Sequence, residues 1–423
     1  MFDRLRKTHY GYRVFLLCFL FQLFVVTLQY HAPGQFVAPM AEEMELSRQA
    51  IVSTLTVSAV TSMVMMLFAG SIFKRVNLRW VFCVCLTVFS SLYYIQSYAV
   101  NLTQIYIIAV VRGILTPFCS MYPMTIVLNN WFGKKVIGKY IAFAMIGNSI
   151  GSIIMNPVIG YLIRDFGWRI CYRVVTFLPL AVLPLIAVFL VVTPEEKGLS
   201  RIGEVSGENE LSPEGTLGDG LSSKQAIGTS VFWITAVMFL FWSGSTQTWQ
   251  LVWPSFLADS GRDPVAVAAV LSVSAFGNLL AKVILGQFYQ KNPRNGLIFG
   301  FCAGLTAFIL AMVSGRLQYM AFAASFLFGF CLSTVGVVPP LLTSELFGRK
   351  DYGVISGFIQ IGGSVGSSLL PLVMTALYSA VGSYLIVWVM MSVLVLLAVF
   401  LLFTAFRLGR RMNITKMTGE REK

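Results

Sequence analysis

The chain has 423 residues, of which 57% are hydrophobic and only 12% charged, and its mean hydropathy is +0.77. So few charges cannot cover soluble domains of this length, and much of the exterior must face lipid. The net charge of +13 raises nucleic acid as a partner, but the positions of the basic residues exclude it below. Two histidines and seven scattered cysteines argue against a metal centre or a disulfide framework.

Uncharged runs of about 20 residues, the length that crosses a bilayer, recur along the whole sequence. They predict twelve spans, at 13–38, 48–73, 79–97, 103–130, 138–163, 169–192, 229–258, 264–290, 295–315, 317–344, 352–379 and 384–407. The first run is about 25 residues long and ends in Glu42-Glu43, so it reads as a span and not as a cleavable leader. Lys and Arg number 23 in the two tails and the even-to-odd loops, against 6 in the opposite loops; Arg112 and Lys282 lie within spans. That asymmetry places both termini in the cytoplasm. A basic flank against anionic headgroups accounts for the charge without nucleic acid.

Span one carries Tyr30, His31, Pro33, Gly34 and Gln35 in its outer half. The Pro-Gly pair weakens the helix there and frees backbone groups for a cavity or for neighbouring protein. His31 could carry a proton near neutral pH or serve as a hydrogen-bonded packing residue. Span four holds Arg112 near its middle, readable as an anion contact or as a brace satisfied by groups such as Thr116 or Tyr122. Spans five and eleven contain Gly138, Gly147 and Gly151, then Gly353, Gly362, Gly363 and Gly366, at spacings that let helices approach closely.

Residues 193–228, rich in Gly, Ser and Glu, read as a flexible cytosolic linker between a bundle at 1–192 and a second at 229–423 with a cytosolic tail. The halves repeat each other. Phe132-Gly133-Lys134-Lys135, followed by Gly147 and Gly151, returns about 215 residues later as Phe347-Gly348-Arg349-Lys350, Gly362 and Gly366. Thr56-Val57-Ser58-Ala59 returns as Ser272-Val273-Ser274-Ala275. Duplicated six-helix halves are what alternating-access carriers use.

All eighteen Asp and Glu lie outside the predicted spans, whereas Lys282 sits inside span eight with Asn278 one turn away on the same face. An intramembrane cation is costly and usually functional. A substrate anion would supply its counter-charge, and a lysine snorkelling to the interface is the alternative. Trp242, Trp249, Trp253 and Tyr122 could line a cavity. Asn101-Leu102-Thr103 matches a glycosylation pattern but lies close to the bilayer. No Walker-type phosphate loop is present, which excludes ATP-driven pumping, and no cofactor is expected.

Along nearly its whole length the chain resembles a major facilitator superfamily transporter, and within that superfamily the monocarboxylate and oxalate/formate-type carriers. The resemblance is carried by Pro39-Met40-Ala41-Glu42-Glu43 with Ser47-Arg48, by Trp131-Phe132-Gly133-Lys134-Lys135, and by Gly167-Trp168-Arg169. It implies an all-α integral membrane protein of twelve helices in two pseudo-symmetric six-helix bundles. Lys282 falls where these carriers hold the Arg that pairs with the substrate carboxylate. The sequence departs from the pattern elsewhere. Gly34 stands where animal carriers have a Lys, neutral residues around Gln360 stand where oxalate exchangers have a second one, and Lys74 replaces a loop Asp.

The expected function is therefore secondary transport of a small organic anion, as proton symport or anion exchange. Monocarboxylates such as lactate, pyruvate or formate, or a short dicarboxylate, would be the cargo. The expected site is Lys282, Asn278, Arg112, His31, Tyr30, Gln35, Tyr122 and Gln360, with His31 as proton carrier. A monomer in a cell membrane, most naturally a bacterial inner membrane, is expected, with lipid its only other partner. Two readings compete: a carrier of neutral or hydrophobic compounds, in which Lys282 and Arg112 are structural, and a non-transporting sensor on the same fold.

Overall fold

Without water to bond to, backbone N–H and C=O groups in lipid must satisfy one another, so apolar runs fold as helices. A computed structural model of the chain describes residues 9–133, 136–203, 221–291, 293–315, 317–336, 338–348 and 351–419. These form α1 (Gly11–Phe21), a π-helical turn (Gln22–Val26), α2 (Thr27–Tyr30), α3 (Pro33–Glu43), α4 (Arg48–Arg75), α5 (Leu78–Gln96), α6 (Leu102–Leu115), α7 (Met121–Trp131) and α8 (Ile137–Phe189). There follow α9 (Ser223–Ile227), α10 (Ser230–Asp259), α11 (Pro264–Lys291), α12 (Pro293–Ser314), α13 (Gln318–Thr334), α14 (Val338–Phe347), α15 (Tyr352–Val381) and α16 (Tyr384–Gly419). The protein is an all-helical, multi-pass membrane protein. Among the described residues nine helical stretches are long and apolar enough to cross a bilayer.

The breaks have local causes. Pro33 cannot donate a backbone hydrogen bond, so α2 stops at Tyr30 and α3 restarts with Pro33 in its first turn. Span four breaks at a single 3-10 turn, Thr116–Cys119, with Pro117 inside it, before Ser120 caps α7. Predicted spans five and six run on as one stretch whose only non-helical residue is Gly167, at φ 78° and ψ 165°, a conformation open to glycine. Ser47 begins α4 by accepting the Ala50 N–H at 3.2 Å. Asn101, the glycosylation candidate, caps α6 by accepting from Gln104 at 2.9 Å.

The helices group into two compact units. The first comprises Met1–Glu208 with Trp253–Leu279, and the second Asn209–Val252 with Leu280–Lys423. Residues 253–279, which the sequence places in the second half, thus cluster with the first. Within each unit the repeat is visible as one packing motif. An added Cβ on Gly147 of α8 would lie 2.6 Å from the Phe19 carbonyl oxygen, and one on Gly151 would meet the Leu23 carbonyl, four residues on. In the second unit Gly362 of α15 meets the Ala236 carbonyl at 2.8 Å, and Gly366 the Leu240 carbonyl, again four residues on. Backbone against backbone at this distance leaves no room for any side chain.

The other repeated motif anchors the linker ends. In the first unit Ile202 donates to Trp131 O (2.9 Å) and accepts from Gly133 N (2.9 Å), while Trp131 Nε1 donates to Val191 O at 2.8 Å. In the second unit Leu221 N donates to Phe347 O at 2.8 Å. The middle of the linker, 204–220, lies outside the described residues, as do Lys134, Lys135, Arg349 and Lys350.

Candidate functional site

In the first unit the broken segment around Tyr30–Gln35 sets out several polar side chains. Gln35 is buried and donates its amide to Asn156 Oδ1 of α8 at 3.0 Å. Tyr30 keeps 45% of its surface exposed although its helix is otherwise largely buried. His31 ends the short α2, with its backbone N–H on Thr27 O at 2.9 Å. Gln29, which nothing in the sequence singled out, has both amide atoms shielded and without a hydrogen-bond partner among the described residues. Native structures seldom leave such groups unmet, and a π-helical turn of the kind often found at functional sites lies just before it.

One cavity of about 220 Å³ opens beside this segment, lined by Gln35, Ala38, Glu42, Pro254, Ala258 and Arg262. Arg48, 4.0 Å from the lining residue Glu42, makes a two-point ion pair with Asp259. Burial lowers the pKa of Arg262 from its usual value, through the cost of desolvating its charge. The two motifs of the N-terminal resemblance also meet here. Glu43 accepts from Arg169 Nε at 2.6 Å, and Arg169 further donates to the Ser97 and Ala99 carbonyls (3.0 and 2.8 Å) and covers the Trp168 ring.

Arg112 occupies a different place in the same unit. Its guanidinium donates to Gln96 Oε1 and lies over the Tyr93 ring, 4.9 Å from the centroid. Gln96 in turn reaches the Tyr172 hydroxyl at 3.4 Å, and Tyr172 stacks on Phe36 at 4.1 Å. Thr116, a bracing candidate from sequence, instead returns its hydroxyl to the Arg112 carbonyl at 2.9 Å. The Arg112 Nε is shielded and has no hydrogen-bond partner among the described residues. Tyr122 stands apart from this cluster, packed against Phe73 with ring centroids 5.8 Å apart.

Lys282 lies half-buried in α11. Asn278, one turn before it on the same face, is only 4% exposed, and its Oδ1 has no hydrogen-bond partner among the described residues. Gln360 is exposed on α15, and its carbonyl accepts from Ser364 at 3.1 Å. Three tryptophans that could have lined a cavity are packed inside instead. Trp242 stacks on Phe301 at 3.6 Å and donates to Thr334, Trp249 stacks on Phe328 at 4.6 Å, and Trp253 stacks on Phe256 at 5.3 Å.

Along α11 the cation Lys282 follows the unmet acceptor of Asn278 by one turn, and the first unit separately holds a cavity with Gln35, Glu42 and Arg262 in its lining. The family profile described as Major Facilitator Superfamily matches residues 15–314 and 248–416. The gallate transporter of Pseudomonas putida is 23% identical over 412 residues, covering 87% of this chain and 89% of that one. Monocarboxylate transporter 11 of Mus musculus is 27% identical over 263 residues, covering 60% of this chain and 53% of that one. Among solved structures, a nucleoside transporter, NupG in a D323A mutant form, aligns with a TM-score of 0.74 at 11% identity, covering 94% of this chain and all of that one. At that identity the likeness shows the fold alone.

Proposed function

The chain belongs to the major facilitator superfamily of membrane transporters, and from that membership we propose that it carries a small organic anion by alternating access. The anion is a carboxylate held at Lys282 of α11. The observation that carries this reading is Lys282 in mid-helix, one turn from the buried Asn278 with its unmet Oδ1. A carboxylate would bond the ammonium, and a hydroxyl on the same molecule would donate to Asn278. Hydroxylated monocarboxylates of the lactate type fit both groups, and gallate, the cargo named for one relative, is also a hydroxylated carboxylate.

His31 and Tyr30, at the break in the first span, are the proposed route for a coupled proton in symport, and exchange against a second anion needs neither. Gln35 belongs to the cavity, Tyr122 and Gln360 are further polar groups for cargo passage, and Arg112 is a brace because Gln96 and Tyr93 occupy it. The charge asymmetry supports a cell membrane with both termini cytoplasmic, and the protein works as a monomer.

The test is thermal stabilisation of the purified carrier by lactate and other carboxylates, together with uptake in proteoliposomes. A ligand bound only by the folded state raises the melting temperature by mass action. Lys282→Gln should abolish both effects, and Lys282→Arg should keep binding because the charge remains and its fork suits a carboxylate. If Lys282→Gln transports the same anion with unchanged affinity, the site assignment fails and the neutral-substrate reading replaces it.

A further inference from the structure

Arg169 and Arg173 stand one turn apart on α8, just past the break at Gly167, yet their surroundings differ. Arg169 has a carboxylate in Glu43 and two backbone carbonyls besides. Arg173 pairs with no carboxylate among the described residues. Its Nε donates to the hydroxyl of the buried Ser97 at 3.2 Å, and that hydroxyl donates in turn to the Tyr94 carbonyl at 2.7 Å. The guanidinium lies over the Tyr98 ring, 4.5 Å from its centroid. One edge and one face of the guanidinium are therefore fixed by the end of α5 and the turn after it. The two terminal nitrogens are not shielded and bond to nothing among the described residues.

Two phenol groups stand beside that edge. The Tyr94 and Tyr98 hydroxyls are 3.2 Å apart, so one proton is spent between them and the other remains for an outside acceptor. Both tyrosines are exposed. The surface around them is apolar: Ile170, Val174 and Phe177 share the Arg173 side of α8, Ile95 follows Tyr94, and all four are exposed. Arg173 lies six residues past Gly167, about 9 Å along the helix. In a membrane chain that depth is the boundary between headgroups and acyl chains, where tyrosines also gather. An arginine that only snorkels needs water and nothing else. This one is held by Ser97 and Tyr98, with its fork left open on a lipid-facing wall.

We propose that Arg173, Tyr94 and Tyr98 hold the phosphodiester of an anionic phospholipid, at the end of the first unit opposite the start of α1. The guanidinium fork matches the two unbridged phosphate oxygens, and the spare phenol O–H donates to one of them. The acyl chains lie along Ile95, Ile170, Val174 and Phe177. A dissolved anion would leave that apolar surface uncovered, so the occupant is a lipid. Its headgroup carries no ammonium, because a second cation would stand against an arginine that no carboxylate screens. The site is separate from the cargo reading and asks nothing of Lys282.

The experiment reconstitutes the full chain in phosphatidylcholine vesicles with a minor fraction of phosphatidylglycerol that carries a diazirine at the start of one acyl chain. After illumination, peptide mass spectrometry reads crosslinks to residues 92–100 and 168–177. Crosslinks to the basic flanks near the two termini serve as the internal reference. Arg173→Gln should lower the yield at the two segments by about fivefold, the worth of one basic contact at an anionic bilayer surface. Arg173→Lys keeps the charge without the fork and should lower it by about twofold. Tyr94→Phe with Tyr98→Phe keeps both rings and should lower it by about two- to threefold. Arg164→Gln removes an arginine already paired with Asp165 and should change nothing at these segments. Phosphatidylcholine carrying the same diazirine should crosslink them no more than it does the rest of the lipid-facing surface, and inorganic phosphate should not displace the labelled phosphatidylglycerol. Should Arg173→Gln fail to fold, judged by yield and melting temperature, Arg173→Lys carries the test. The lipid site is overturned if the folded variant keeps the parental crosslink yield, or if the two labelled lipids crosslink equally. Displacement by inorganic phosphate would overturn it too, making this a site for a dissolved anion.

Discussion

Arg112→Met separates a brace from a substrate contact. The substitution keeps the length and apolar stem of the side chain and removes the guanidinium. Gln96, which is 4% exposed, then loses the donor on its Oε1, and Tyr93 loses the cation over its ring. A charge-assisted hydrogen bond contributes about 1.5–3 kcal/mol and a shielded cation–π contact about 1–2 kcal/mol. Relief of the buried charge offsets part of this, leaving a loss of about 2–4 kcal/mol. For a unit of roughly 200 residues that is on the order of 5–10 °C in melting temperature. The measurement is the melting temperature of purified protein beside the KM for uptake of the responding carboxylate. Melting should fall by that amount while KM in the folded fraction stays within about twofold. Gln96→Leu alone should cost less, and Arg112→Met with Gln96→Leu should cost less than the sum by about 1–2 kcal/mol, because removing both partners leaves no orphaned amide. An unchanged melting temperature with a tenfold rise in KM would refute the brace and put Arg112 on the substrate.

Gly147→Val should destabilise strongly, because its Cβ would stand 2.6 Å from the Phe19 backbone oxygen, which cannot rotate away; overpacking of this kind costs roughly 1–3 kcal/mol or more. Gly357→Ala on α15 is the control: an added carbon there meets open space, and the melting temperature should hold or rise slightly, since Ala is the better helix former. Glu43→Gln should lower the melting temperature by no more than a few degrees, its pair with Arg169 being well exposed. Arg169→Met should lower it by more, losing the Ser97 and Ala99 carbonyl contacts as well; equal losses would mean that the ion pair, not the carbonyl contacts, is what counts.

Composition and the spacing of charges were enough to read an all-helical membrane protein, because lipid admits few other solutions for an uncharged run of 20 residues. The break at Pro33 was legible because ring closure acts within a turn of its own residue, and the small-residue spacing of Gly147, Gly151, Gly362 and Gly366 marked faces open to close helix approach, though not which helix fills them. What the sequence could not carry was partnership. Thr116 and Tyr122 were the near candidates for Arg112, yet Gln96 and Tyr93 on α5 hold it. Arg48 and Asp259 stand 211 positions apart, and Glu43 and Arg169 stand 126 apart. The tryptophans that suggested a cavity wall turned inward to stack on phenylalanines. A side chain several ångströms long chooses among every helix within its reach. That choice belongs to the packing of helices against one another, which only the tertiary structure decides.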